Sequence, residues 1–237
     1  MPQNKNLQHR SHQTEQLDNP NLQGTELEET LQNLGTVNSL LGNIRSLSKS
    51  ILKVLNSKKQ DKYRIIDLGC GGGDALKYLA QICRKKNITV EFVGIDFNAH
   101  SLQYAEKQAA DFPEIEWLQG DILDPSFELP ECDVLMSSHF MYHFEDAQLI
   151  DFLKRQKHRV NTAIVISELQ RSKMAFVLFQ IFAPLLRFSK IAYEDGLLAI
   201  RRSFVRTELE AILKEADMDR FSLKWKWAFR YELVVWV

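Results

Sequence analysis

The sequence predicts an α/β fold: a doubly wound, seven-stranded, mostly parallel sheet with an antiparallel C-terminal hairpin and an N-terminal helical cap. Three observations predict it. From residue 63 to residue 167, short runs rich in Ile, Val and Leu alternate with amphipathic stretches of helical period, the spacing of parallel βαβ units. The first of these runs ends in a glycine-rich turn. The last two runs, 221–227 and 231–237, are joined by a link too short for a crossover, which forces them antiparallel.

Taken in order, residues 1–18 are rich in Gln, Asn and His and poor in large apolar groups, and are expected to form a disordered tail rather than a secretory signal. Residues 19–57 form the helical cap. Leu27, Leu31, Leu34, Val37, Leu40, Ile44, Leu47, Ile51 and Leu55 recur at three- and four-residue steps, with Gly35 and Gly42 as expected interruptions. This hairpin should pack over one edge of the sheet. Residues 58–237 then make the main domain. Strands are expected at 63–68, 89–95, 114–118, 133–137 and 162–167, and helices at 74–86, 100–110, 146–155 and 207–216. An insertion at about 170–204 contains the most apolar run, 174–188. That run is expected to be buried, as a lid or wall over a pocket, and is too short to span a bilayer.

Composition narrows the function classes. The 237 residues are 45% hydrophobic and carry a formal net charge of -1, so nothing global favours nucleic acid or an anionic membrane as partner. Between 111 and 151 there are only acidic charges, whereas basic ones dominate 154–206. Two readings stay open: solvated faces of opposite sign, or an acidic wall near a cationic cofactor beside a basic rim for an anionic or phenolate ligand. Cys70, Cys83 and Cys132 are too widely spaced for a zinc site or a disulfide framework, so no metal is expected and the cytoplasm is the natural compartment.

The turn after the first strand reads Asp67-Leu68-Gly69-Cys70-Gly71-Gly72-Gly73-Asp74. Glycine suits a chain that turns sharply and lets a ligand approach its backbone. Asp67 would repel a pyrophosphate but suits a cationic amino acid, and Asp74 stands where a dinucleotide fingerprint has its last glycine. Asp96 ends the second strand, where a carboxylate can hold the ribose hydroxyls of a nucleoside. Asp121, after the third, can accept a hydrogen bond from an adenine amino group.

On these residues the stretch 63–145 resembles the core of the class I S-adenosylmethionine-dependent methyltransferases. The resemblance implies that Asp67, Gly69, Cys70, Gly71, Gly73, Asp96, Asn98, Asp121, Ile122 and Ser138 bind S-adenosyl-L-methionine. Residues 137–144 are similar to the family segment that ends the fourth strand, often with a histidine where His143 stands. Leu17-Asp18-Asn19-Pro20, residues 37–42 and residues 194–204 resemble a bacterial subgroup acting on small aromatic or polyketide-type molecules.

The expected activity is methyl transfer to a small lipophilic acceptor, with O-methylation ahead of C-methylation of a quinone-like ring. His143 and His139 are candidate bases at the carboxyl end of the fourth strand. Glu168, Arg171, Arg201 and Arg202 are candidate acceptor contacts. Two rivals remain: a nicotinamide-dependent oxidoreductase, and a cofactor-binding regulator without catalysis. No Asn/Asp-Pro-Pro-aromatic loop follows the fourth strand, which speaks against nucleic acid as acceptor. Oligomeric state, a homodimer included, is left open.

Overall fold

The computed structural model describes residues 7–124 and 126–237. Two helices, α1 (Gly24–Leu40) and α2 (Asn43–Ser57), precede β1 (Tyr63–Leu68), α3 (Asp74–Lys85), β2 (Val90–Asp96), α4 (Ala99–Gln108) and β3 (Ile115–Gln119). Then come β4 (Cys132–Ser138), α5 (Asp146–Gln156), β5 (Val160–Leu169), α6 (Lys173–Leu185), α7 (Lys190–Arg202), α8 (Arg206–Glu215), β6 (Phe221–Lys226) and β7 (Arg230–Trp236).

The sheet order is β3-β2-β1-β4-β5-β7-β6. The first five strands are parallel. β7 inserts between β5 and β6 and runs antiparallel to both, with Ala163 opposite Trp236 and Phe221 opposite Val235. Strands β1, β4 and β5 are buried on both faces, which is why they read as continuous apolar runs rather than alternations. Strand order reverses between β1 and β4, and the crevice at their carboxyl ends is where such sheets hold ligands.

One core lies on each face of the sheet. Leu76, Leu79, Ala80 and Cys83 give α3 a stripe at helical spacing, and it meets Leu47, Ile51 and Val54 of α2. The other face holds Phe152, Leu209, Ile212 and Phe204 from α5, α8 and their neighbours. Asn98 caps α4, its Oδ1 accepting from the amides of His100 and Ser101 at 2.8 and 3.2 Å.

The structure corrects several expectations. Residues 1–6 of the expected tail lie outside the described residues. Residues 7–18, however, form a strap across the molecule. Arg10 donates to the carbonyls of Arg202, Tyr142 and Phe144, each at 2.8 Å, pairs with Asp146, and sits 4.2 Å over the Phe204 ring. Composition suggests disorder because apolar groups are few, yet charge-assisted bonds to backbone carbonyls hold the segment instead.

The helical cap does not sit at a sheet edge. Its α2 packs on the sheet face against β5 and α3, because Leu47, Ile51, Val54 and Leu55 need a core. Gly42, at φ +73°, separates the two helices, but Gly35 lies inside α1. There it permits close approach, since a Cβ would meet Asp74 Oδ2 at 2.3 Å. Residues 190–202 of the insertion form a helix of their own. The apolar run 174–188 is only partly buried: Met174, Val177, Ile181, Phe182, Leu185 and Leu186 are exposed, because α6 meets the protein with one side alone.

Candidate active site

The crevice is closed from above by the cap and the strap into a cavity of about 860 Å³. Its floor begins at β1. Gly69 and Cys70 donate their amides to the Ile95 carbonyl at 2.9 and 3.1 Å, folding the turn back on β2. Gly69 has φ +66°, and a Cβ there would strike the Phe140 ring at 2.3 Å. Side chains are therefore excluded where the chain bends, which leaves the loop backbone facing the cavity.

Asp96 organises this loop. Its Oδ2 accepts from the Gly71 amide at 2.9 Å and its Oδ1 from the Asn98 amide at 3.0 Å. Asp67 is fully enclosed beside it, with Oδ1 unpartnered among the described residues. Burial first, and then the Asp96 charge, push the Asp67 carboxyl well above its ordinary range. Burial also raises Asp96, against the hydrogen bonds from Asn98 and Gly71. Two stressed carboxylates at adjacent strand ends form a site that a bound cation would relieve.

Further along the wall, Asp121 is exposed and takes the Leu123 amide at 2.9 Å, while Ile122 is buried. Phe97 and Leu123, which no sequence motif marks, line the cavity with them. Ser138 accepts from Asn43 Nδ2 at 2.8 Å, and Asn43 Oδ1 accepts from Ser167 at 2.6 Å, so α2 is tied to β4 and β5 at the cavity edge.

The two histidines differ sharply. His139 is half-buried at the end of β4, with φ +54° and its enclosed Nε2 unpartnered among the described residues. Burial, reinforced by the Arg230 charge, pushes its pKa down to about 3. His143 follows in a single 3₁₀ turn, stacked on Tyr142 with ring centroids 4.5 Å apart. Its Nδ1 lies 3.2 Å from Asp18 Oδ1 of the strap, and its Nε2 lies 3.9 Å from Glu15 Oε2. Arg202 bonds Asp18 Oδ2 at 3.0 Å and lies 3.7 Å from Glu15 Oε1. Burial works to raise the Asp18 carboxyl, but the bond and charge of His143 together with Arg202 outweigh it and hold it low. Glu15 goes the other way: burial and the Asp18 charge raise it well above the usual carboxylate range. Glu15, Asp18 and His143 are close enough to share a metal ion, but the Arg202 guanidinium already supplies positive charge at that point.

Not every expected contact faces the cavity. Arg202 lines it, held by the two strap acids, but Glu168, Arg171 and Arg201 do not. Arg171 is buried in a fork with Glu208, at 3.0 and 2.5 Å, and donates to the Ser203 carbonyl at 2.6 Å. Arg201 reaches Gln13 of the strap at 3.3 Å. Glu168 turns under β4 and accepts the amides of Phe140 and Met141, both at 2.8 Å, so it shapes the loop that carries the histidines.

Burial lifts Glu168 to about 7, against those two amide bonds. From its ordinary 4.5 up to about 7, the folded protein holds a proton that the unfolded chain has released, so stability falls as pH rises through that window. Glu168→Gln keeps the oxygen that accepts both amides and removes the ionisation. It should therefore gain on the wild type by about 3 kcal/mol between pH 4.5 and pH 7. Urea unfolding across this range checks it, and parallel stability curves would disprove it.

Comparison with known proteins matches one family over part of the chain. The one described as Methyltransferase domain matches residues 65–162, the stretch from β1 into β5. The chain carries a methyltransferase domain. Its sheet order and glycine turn belong to the fold of solved structures of methyltransferases that hold S-adenosylmethionine. A 2-phytyl-1,4-naphtoquinone methyltransferase of Thermosynechococcus vestitus is 40% identical over 62 residues, 26% of each protein. Sequence similarity thus spans little more than a quarter of the length of the curated relatives it reaches. Among solved structures, human N-acetylserotonin methyltransferase in complex with SAM superposes with a TM-score of 0.60 at 18% identity, covering 90% of this chain and 56% of that one. Magnesium protoporphyrin IX methyltransferase from Synechocystis, with bound SAH, gives 0.56 at 11% identity, covering 82% and 83%. Among the described residues, no helix of this methyltransferase domain protein is long and apolar enough to cross a membrane.

Proposed function

We propose that this protein methylates a hydroxyl oxygen of a small, lipophilic aromatic or polyketide-like acceptor, with His143 as the base. The observation that carries this reading is the His143–Asp18 contact at 3.2 Å, placed in a mostly apolar cavity that also holds Asp67 and Asp96. Asp67 would take the cationic amino group of the donor, Asp96 the ribose and Asp121 the adenine amino group, with Phe97, Ile122 and Leu123 against the ring. Gly69, Cys70, Gly71 and Gly73 give the loop its close approach, while Asn98 and Ser138 hold its edges. The unpartnered, buried Asp67 oxygen fits such a cation. When bound, S-adenosylmethionine supplies an electrophilic methyl group on a sulfonium, whose sulfur leaves neutral.

The side chains then have three tasks. Asp18 accepts from His143 Nδ1–H, which leaves the Nε2 lone pair, 3.9 Å from Glu15 Oε2, to take the acceptor's hydroxyl proton. The His143 contact, with Arg202 beside it, keeps Asp18 ionised for that role. The apolar walls exclude water, and holding the reactants in line supplies roughly 7–11 kcal/mol of barrier reduction. With its pKa pushed down to about 3, His139 is a much weaker base than an ordinary imidazole and serves in this reading as cavity wall.

The quinone named for the Thermosynechococcus relative favours a second reading, in which a ring carbon receives the methyl group. Both are tested together. Calorimetric titration with S-adenosylmethionine and with NADPH comes first, and binding of NADPH alone would end the proposal. Incubation with methyl-labelled donor and a panel of phenols and reduced quinones follows. The position of label in the product separates oxygen from carbon, and transfer to no member would favour a non-catalytic role.

A further inference from the structure

Helix α6 carries two apolar faces, and only one of them is explained by the cavity. Leu178, Phe179, Phe182 and Leu186 line the cavity from the inner side. On the outer side Met174, Val177, Ile181 and Leu185 repeat at helical spacing and are 63%, 50%, 55% and 72% exposed. None of these four lines the cavity, so binding of an acceptor does not account for them. The apolar surface continues around the mouth through Leu40 at the end of α1 and Trp227 in the β6–β7 turn, which are 67% and 64% exposed. Arg230 joins these two elements by donating to the carbonyls of Leu41 and Trp227. Hydrocarbon from three separate elements thus rims one opening, which soluble surfaces rarely permit without a partner.

The charge around this surface points to the partner. No Asp or Glu occurs from residue 169 to residue 193. Lys173 lies exposed at one end of the stripe, and Arg187 and Lys190 lie exposed at the other. The overall charge of -1 hides this local excess. At 13 residues α6 is about 20 Å long, shorter than the roughly 30 Å of a hydrocarbon core, so it can lie in an interface but not cross it. The outer stripe carries no hydrogen-bonding side chain, unlike a surface built for a protein partner, and tryptophan next to it suits the headgroup level.

We propose that the outer face of α6, with Leu40 and Trp227, docks this protein onto an anionic bilayer surface with the cavity mouth toward the lipid. A lipophilic acceptor then enters from the hydrocarbon without crossing water. Docking itself needs neither donor nor acceptor, so it stands apart from the reaction proposed above.

The test is flotation of the full chain with phosphatidylcholine vesicles, with and without phosphatidylglycerol, in the absence of any small ligand. The wild type should float with the anionic vesicles and be released by salt. Ile181→Glu with Leu185→Glu should weaken binding roughly a hundredfold or more, and Lys173→Glu or Lys190→Glu at least about fivefold each. All of these variants should retain S-adenosylmethionine binding, which shows that they fold. Wild type that stays in solution, or a double variant that floats as well as wild type, overturns the proposal. So does a dimer in sedimentation that Ile181→Glu splits while neither form binds vesicles, because a second copy then covers the face. Retention of a small acidic protein by wild type but not by Ile181→Glu, again without vesicle binding, overturns it in favour of a protein partner.

Discussion

His143→Ala should lower kcat/KM for methyl transfer about 10²–10⁴-fold while leaving the affinity for S-adenosylmethionine unchanged. The size follows from removing a positioned base, and the unchanged affinity follows from geometry. The His143 ring is bound to the strap through Asp18 and stacked on Tyr142, whereas the Asp96 oxygens are bonded to the Gly71 and Asn98 amides and feel His143 through its charge. Asp18→Asn is the companion experiment. It preserves size but removes the charge facing Nδ1, so it should cost less than His143→Ala and alter the pH–rate profile, which a purely structural contact would not do. Steady-state rates across pH, with calorimetry for the donor, separate these cases. Activity within about twofold of wild type in His143→Ala would remove the base from that position.

The second large effect is expected at Asp96. Hydrogen bonds to a charged acceptor are worth about 1.5–3 kcal/mol each, so losing two ribose contacts should weaken the donor about 10²–10⁴-fold in Kd. Asp96→Ala also strips the Gly71 and Asn98 amides of their acceptor, which loosens the loop that approaches the donor. Asp96→Asn keeps an accepting oxygen and should lie between alanine and wild type. Titration calorimetry with S-adenosylmethionine measures both, and an unchanged Kd in Asp96→Ala would exclude the carboxylate from the donor site.

These two predictions draw on parts of the site that differ in how openly the sequence shows them. The donor half is legible because each element is local: a strand, the acid that ends it, and the turn that follows. Asp67, Asp96 and Asp121 fall at successive strand ends whatever the sheet order. The His143–Asp18 contact is different, since its partners lie far apart in the chain and the strap reads as disordered when only apolar groups are counted. Glu168 and Arg171 were visible as polar residues at the end of β5, but their aim was not. One turns under the sheet to the Phe140 and Met141 amides, and the other is drawn to Glu208 of α8. Helix α7 is hidden in the sequence because it buries Asp195, Arg201 and Arg202, which breaks the apolar periodicity of a helix. For α6 the sequence shows the apolar composition but not the exposure, because exposure depends on what a helix meets.

The place of β7 has a bearing on how the chain acquires its shape. Strand β5 leaves the ribosome long before its sheet neighbour does, and β6, made in between, can join the sheet only through β7. Until Arg230–Trp236 threads between them, the backbone of Val160–Leu169 presents an unpaired edge beside the emerging apolar helix α6. The nascent protein is therefore most prone to stray pairing during this interval. Synthesis speed across α7, α8 and β6 thus sets how long that edge stays unpaired.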